Sequence, residues 1–403
     1  MDWTYYRSLL AGDPLAAQPI TKYSEIIASP DDSNGNLTFG IELEFLVPSL
    51  KKEASDPYPL ETRPLFQWTN YSAHDTAVLE ALEKACGFRF RLDHNDVFRL
   101  PYNSIIRYDM WRLTRDSSVK FGNIDPKEYI WTGREVTSEV MRSDEPRVYT
   151  EKITDVCRGI RQLRVHLNKT TSVHVHVGLG DEPFSLITMK KAIGLILLVD
   201  DMLMGLHHPG RRESYHCRLV SQCSKLALWE PESSLEAESF LEDALEQGMD
   251  EFVPRIHLTE QTLQATTGME ELALLMEGAD ESGHARGSVA FNRFLPADEI
   301  GGNTQTFEFR QMAGCLDPGQ IIHWVKVCMA IIDFARLSEA EQYKDLLHKL
   351  LVGESTFSAF DLLLELGLVE EETHFRSRVE EYGVNLDYYP GESSGELFVP
   401  KLE

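Results

Sequence analysis

The chain has 403 residues, 42% of them hydrophobic, and a formal net charge of -26. That apolar content suffices for one large core or two smaller ones. The excess of carboxylates excludes nucleic acid or an anionic membrane as the main partner, while ATP stays open because phosphate needs only local arginine and bound metal.

Taken in chain order, MDWTYYRSLLAGDPLAAQPI has no basic flank ahead of an apolar core, so no secretory signal is expected, and residues 1–35 read as a peripheral segment. LTFGIELEFLVP (37–48) alternates as a strand. AVLEALEKACG (77–87) reads as a helix closed by Gly87. YDMWRLTRDSSV (108–119) is a strand running into a turn, and GREVTSEVM (133–141) a further strand. Helical spacing follows over 149–167, strict alternation over TSVHVHVG (171–178), and a buried helix over 184–206. Its apolar run AIGLILLV, bounded by Lys190, Lys191, Asp200 and Asp201, is too short to span a bilayer. The acidic stretch 229–285 offers a lid or a docking surface. GSVAFNRF (287–294) and TQTFEFRQM (304–312) are strands, and 321–337 is a helix of nearly continuous apolar character. Residues 338–403 read as an appended helical region with a tail, which leaves 36–337 as the main domain. Six cysteines without a CxxC pair fit reduced thiols and a cytoplasmic location. The fold class is α+β: a mainly antiparallel curved sheet, helices packed on one face and a functional groove on the other.

Alternation sorts the side chains. On the first strand Phe39, Ile41, Leu43, Phe45 and Val47 share a core face, and Thr38, Gly40, Glu42 and Glu44 the opposite one. The same rule pairs Val136 and Val140 against Glu135, Thr137 and Glu139. It sets Val173, Val175 and Val177 against Ser172, His174 and His176, and Phe307 and Phe309 against Glu308, Arg310 and Met312. If the strands share a sheet, five carboxylates, two imidazoles and one guanidinium converge. Two like charges one strand repeat apart repel by roughly 1 to 4 kcal/mol. Carboxylates crowded in a partly dry site protonate, pair or bind metal. Oxygen-rich sets with an imidazole suit Mg²⁺ or Mn²⁺. An arginine two residues from a ligating glutamate would meet the phosphate on that metal, and Arg310 stands two residues from Glu308.

GIELEF, Asp116 and Ser118 of RDSSV, the E-x-x-S of GREVTSE, HVHVG, PGRRESY and FEFRQMAG before a Trp-containing helix occur in the order of the fungal and bacterial amidoligase family. The chain resembles that family over residues 36–337, and the family resembles glutamine synthetase and glutamate–cysteine ligase. The resemblance implies an ATP-dependent carboxylate–amine ligase working through an acyl phosphate. It assigns Glu42 and Glu44 to different metal ions, Glu135 to one site, and Glu308 with His174 or His176 to the other. The remaining histidine would contact phosphate, and Arg310 would stabilise the transferring phosphoryl group. Arg211 and Arg212 of the loop match the family's phosphate-contacting arginines, and Asp116 would bind the amine or the metal. ATP and Mg²⁺ (or Mn²⁺) are the implied cofactors. The partners would be a small-molecule or peptide carboxylate and an amine, with a protein side chain as one candidate. Two departures stand out: Glu139 follows the E-x-x-S serine where relatives often carry proline, and Ser172-Val173 precedes the histidines in place of a glycine pair.

Three other classes compete. A cupin-type oxygenase or hydrolase shares an H-x-H followed by an acid, but the gap from His176 to Glu182 is one residue too long. A phosphagen-kinase-like enzyme shares the general fold and moves phosphate to a guanidine. A non-catalytic binding protein of the same fold needs none of Glu42, Glu44, His174, His176, Glu308 and Arg310 intact.

Overall fold

The computed structural model describes residues 35–92, 108–122, 126–226, 268–278, 286–295, 305–352, 357–384 and 397–402. The expected N-terminal segment, except Gly35, and most of the acidic stretch 229–285 lie outside the described residues.

Strand β1 (Thr38–Leu50) is the spine of a nine-stranded sheet. The other strands are β2 (Phe66–Gln67), β3 (Arg91–Leu92), β4 (Arg112–Arg115), β5 (Tyr129–Thr137), β6 (Met141–Arg142), β7 (Ser172–Gly178), β8 (Val289–Ala290) and β9 (Thr306–Ala313). The order is β3-β4-β5-β1-β7-β9-β8, with β2 and β6 also paired to β1. All pairings are antiparallel except β1 with β2 and β3 with β4.

Hydrophobic alternation sets the register. Phe39, Ile41, Leu43, Phe45 and Val47 are buried in one core with Val136, Val173, Val175, Val177, Phe307 and Phe309. Each such side chain contributes roughly 1.5–3 kcal/mol on burial. A one-residue slip of β1 would drive Glu42 and Glu44 into that core, so the register is strongly specified.

Helices cover the apolar face. Helix α1 (Tyr71–Cys86) starts six residues ahead of its apolar run, because the Asn70 side chain caps it by accepting from the Ala73 N–H at 2.9 Å; it ends at Gly87, whose φ of 79° few other residues adopt. Helix α2 (Pro146–Arg161) buries Ile153, Val156, Cys157 and Ile160. Helix α3 (Leu186–Gly205) packs on β9 and on α6 (Pro318–Leu337), which in turn packs on β7 and α2. Between α3 and α6 lie two short helices, α4 (Val220–Cys223) and α5 (Met269–Leu275). The charged flanks of α3 are not solvent markers: Lys191 and Asp200 are buried, Lys191 Nζ donating to the Ser338 carbonyl at 2.9 Å and Asp200 accepting from Ser288 Oγ at 2.5 Å.

The C-terminal helices α7 (Ala340–Val352), α8 (Ala359–Glu365) and α9 (Val369–Val384) share this core through Tyr343, Leu346, Leu362, Leu363 and Phe375. Val399 N–H donates to the Val165 carbonyl at 2.9 Å, tying the chain's end to the sheet domain.

Three strand expectations need correction. β5 stops at Thr137, so Val140 is 47% exposed and not a core residue. GSVAFNRF forms only the two-residue β8 and then a 3₁₀ turn, Asn292–Phe294, once its pairing with β9 ends. Met312 lies in the core and not beside Arg310. Val173 pairs with Met312 but Val175 with Phe309, so Arg310 and Gln311 together oppose His174. That bulge flips the alternation beyond it. No helix among the described residues is long and apolar enough to cross a membrane, and all six cysteines are free.

Candidate functional site

Pairing alone aligns the polar face. Glu42 stands opposite His174 on β7 and Thr137 on β5, Glu44 opposite Glu135, Glu135 opposite Thr114 on β4, and His176 opposite Glu308 on β9. Asp116 arrives from the turn after β4. That turn crosses β5 at Gly133, where a Cβ would sit 2.2 Å from the Asp116 carbonyl oxygen, so only glycine admits it. Ser118 holds the Asp116 carboxylate, its N–H and Oγ each donating to Oδ1 at 2.6 Å.

Two groups of ligand atoms result, each with its members within 4.8 Å of one another: Glu42, His176 and Glu308, and Glu44, Asp116 and Glu135. In the first group His176 Nε2 is 3.1 Å from Glu42 Oε1, and Arg310 forms a buried ion pair with Glu308. Arg310, His176 and His174 favour the ionised carboxylates against the cost of burial. The Glu308 carboxyl is held down at about 2, and Glu42 well below its ordinary value. The second group behaves oppositely. Burial and then the Asp116 charge push Glu44 up to about 8, and burial with the charges of Glu42 and Glu44 pushes Glu135 well above its ordinary value. Hydroxyls supply only part of the missing partners: Thr137 Oγ1 donates to Glu135 at 3.0 Å and Ser172 Oγ to Glu44 at 2.6 Å.

The residues fit divalent cations. Three donor side chains per group, mostly oxygen, are what Mg²⁺ or Mn²⁺ takes while keeping positions for phosphate and water. A cation in the second group would relieve the repulsion that keeps Glu44 and Glu135 from ionising together.

His174 belongs to neither group. It is buried, with Nδ1 2.9 Å from Glu42 and Nε2 2.8 Å from Ser172 Oγ, so the chain Glu42–His174–Ser172–Glu44 links the two. Ser172, a departure from the family pattern, is the hinge of that link.

Arg310 borders a cavity of about 420 Å³ whose wall includes Glu42, Glu44, Asp116, Glu135 and His174. Its Nε donates to the His216 carbonyl at 3.2 Å. Arg211 and Arg212, expected at phosphate, do not border this cavity. The buried Arg211 donates to the Arg310 carbonyl at 2.8 Å and to Ser214 Oγ at 3.3 Å, which props the strand carrying Arg310. Arg212 is partly exposed and paired with Asp201 on α3. Glu139 is paired with Lys152 and stands apart from both ligand groups.

Sequence reasoning missed Arg293. Continued alternation from Val289 would have placed it with the core, but the 3₁₀ turn after β8 swings it over the polar face. There its Nη2 donates to the Tyr108 hydroxyl at 3.1 Å, and its charge is felt by Glu42 and Glu308. An arginine between two phenylalanines just beyond a strand was the only signal. Arg286, Asn292 and His216 on the cavity's wall were missed as well.

The geometry defines a protein that gathers carboxylate, imidazole and guanidinium on one face of a sheet. The chain belongs to the family described as "Putative amidoligase enzyme", whose model matches residues 35–332, so its class is that of a ligase. No curated protein sequence matches it significantly.

Proposed function

We propose that the protein is an ATP-dependent carboxylate–amine ligase that acts through an acyl phosphate. The observation that supports this most is the pair of three-residue ligand groups on one sheet face, with Arg310 bonded to the first and lining the cavity of the second. A carboxylate does not condense with an amine in water, because hydroxide is a poor leaving group. In the proposed reaction the acid's carboxylate oxygen attacks the γ-phosphorus and ADP leaves. The amine then attacks the acyl carbon, phosphate leaves, and the amine's surplus proton passes to a carboxylate of the wall, for which Asp116 is the candidate.

Divalent cations held by the two groups would neutralise the phosphates and hold the reactants in line. Arg310 would stabilise charge on the transferring phosphoryl group. His174 and Ser172 would hold Glu42 and Glu44 in their ligating orientations, and the cavity walls would keep water from the acyl phosphate.

The test is a screen of acid and amine pairs for Mg²⁺-dependent ADP release, with hydroxylamine as one of the amines so that an acyl phosphate is trapped as a hydroxamate. Hydroxamate formation that is lost in Glu44→Ala supports the ligase. Release unaffected by Glu44→Ala, or a phosphorylated amine or guanidine in place of an amide, overturns it.

A further inference from the structure

Behind the second ligand group, the helix-covered face of the sheet holds charge. Side chains alternate along β4 and β5, so Thr114 and Glu135 face the site, where Thr114 Oγ1 lies 3.4 Å from Glu135 Oε1. Arg115 and Arg134 face the other way. They stand directly opposite each other in the ladder, an arrangement that repels unless an anion joins them. Asp75 of α1 is that anion. It is fully buried, with Oδ1 2.7 Å from Arg134 Nη2 and Oδ2 3.2 Å from Arg115 Nε.

Other side chains close the cluster. Arg134, itself buried, also donates to His74 Nδ1. Burial and the Arg134 charge push His74 down to about 3, so the ring is neutral and accepts. Phe66 and Trp68 pack on that ring with centroids 5.5 and 5.8 Å away, and the Arg115 guanidinium stands 5.0 Å from the ring centre of Tyr71. A charge network so enclosed rigidifies the segments that carry it. Asp75, Arg115 and Arg134 do not border the cavity of the candidate site.

Sequence adjacency sets what the cluster holds. Arg115 immediately precedes Asp116 and Arg134 immediately precedes Glu135, so one carboxylate grips the chain beside two of the three residues of the second group. The same two segments meet where the Asp116 N–H donates to the Gly133 carbonyl at 3.2 Å, at the crossing that only glycine admits. On the cation reading above, on which this rests, we propose that Asp75 is a positioning residue for the second cation. From behind the sheet it sets the spacing of Asp116 and Glu135, and with it the opening that the ion must fit. Small divalent cations demand near-ideal geometry, so a change in that spacing is felt in affinity. Glu42, His176 and Glu308 do not neighbour either arginine in sequence, and their cation should not depend on Asp75.

Mn²⁺ titration of the full chain, followed by electron paramagnetic resonance, tests this. Wild type should take two ions, and Glu135→Gln and Glu308→Gln should each remove a different one. Asp75→Asn should weaken the ion lost in Glu135→Gln by about tenfold or more and leave the ion lost in Glu308→Gln unchanged. Arg115→Ala, at a partly exposed position, should weaken the same ion without opening the core, and Arg115→Lys should restore part of that loss. Melting curves in chelator accompany each titration.

Unchanged affinities in Asp75→Asn and Arg115→Ala, with only the melting temperature lowered, make the cluster a matter of stability and overturn the proposal. Equal weakening of both ions overturns it too, as does weakening confined to the ion lost in Glu308→Gln. If Asp75→Asn does not fold, Arg115→Ala decides by the same criteria. A wild-type protein that takes no Mn²⁺, or only the ion lost in Glu308→Gln, overturns the cation reading of this group and the inference with it.

Discussion

The two ligand groups sit side by side on one sheet yet solve their electrostatics in opposite ways. Glu42 and Glu308 are neutralised from within by His176, His174 and Arg310, and both stay ionised. Glu44 and Glu135 touch hydroxyls and other acids, so burial forces them toward their protonated forms. The first group carries its own compensating cationic side chains, and the second has hydroxyls alone against its carboxylates. Metal dependence should therefore be felt most in the group farther from Arg293 and the histidines.

The comparison can be broken most severely at Arg310, which keeps the first group neutral. Arg310→Ala should cost on the order of 3 kcal/mol of transition-state stabilisation, about a hundredfold in metal-dependent ADP release. Turnover that is unchanged removes the guanidinium from the mechanism.

The link between the groups comes next. Ser172→Ala frees both Glu44 and His174 and should weaken Mn²⁺ binding about 10- to 100-fold, as loss of a ligand's supporting hydrogen bond commonly does. Electron paramagnetic resonance titration reads this directly, and an affinity equal to wild type would show that the serine is idle.

Acidity sharpens the contrast. In metal-free protein the Glu44 carboxyl titrates near 8 when folded, well above an exposed glutamate. A raised folded value means that its stabilising contribution is full at low pH and is lost as pH rises toward 8. Glu44→Gln does not titrate, so the stability of wild type relative to this variant should fall between pH 5 and pH 9, by a few kcal/mol at roughly 1.4 kcal/mol per unit. Thermal melts in chelator check it, and added Mg²⁺ should flatten the difference. Parallel pH profiles would refute the assignment of this charge imbalance to Glu44. The smallest effect is expected at Arg212, whose ion pair with Asp201 is solvent-exposed. Arg212→Ala should change stability by less than about 1 kcal/mol and leave ADP release intact, and a large loss of ADP release would return this arginine to the phosphate.

Much of this was legible in the sequence. Strict alternation placed Glu42, Glu44, Glu135, His174, His176, Glu308 and Arg310 on one face, and pairing brought them into register because the opposite face is so apolar that only one register buries it. Where alternation was interrupted the reading failed. Met312 crosses to the core at a bulge, Val140 lies past the end of its strand, and Arg293 reaches the site by a turn that follows a strand of two residues. The partners of the loop arginines were illegible for a different reason: composition says that a guanidinium is present, not which carbonyl or carboxylate takes it.

By itself the sequence determined which faces are wet and which are dry, because side-chain period and hydrophobicity are local properties carried by every residue. Only the tertiary structure decided the partners: that Glu42 meets both His174 and His176, that Asp116 completes the group of Glu44, and that Arg211 braces Arg310. Partnership depends on strand order, on a bulge and on a close crossing at Gly133. All of these come from contacts between segments that a linear pattern does not relate.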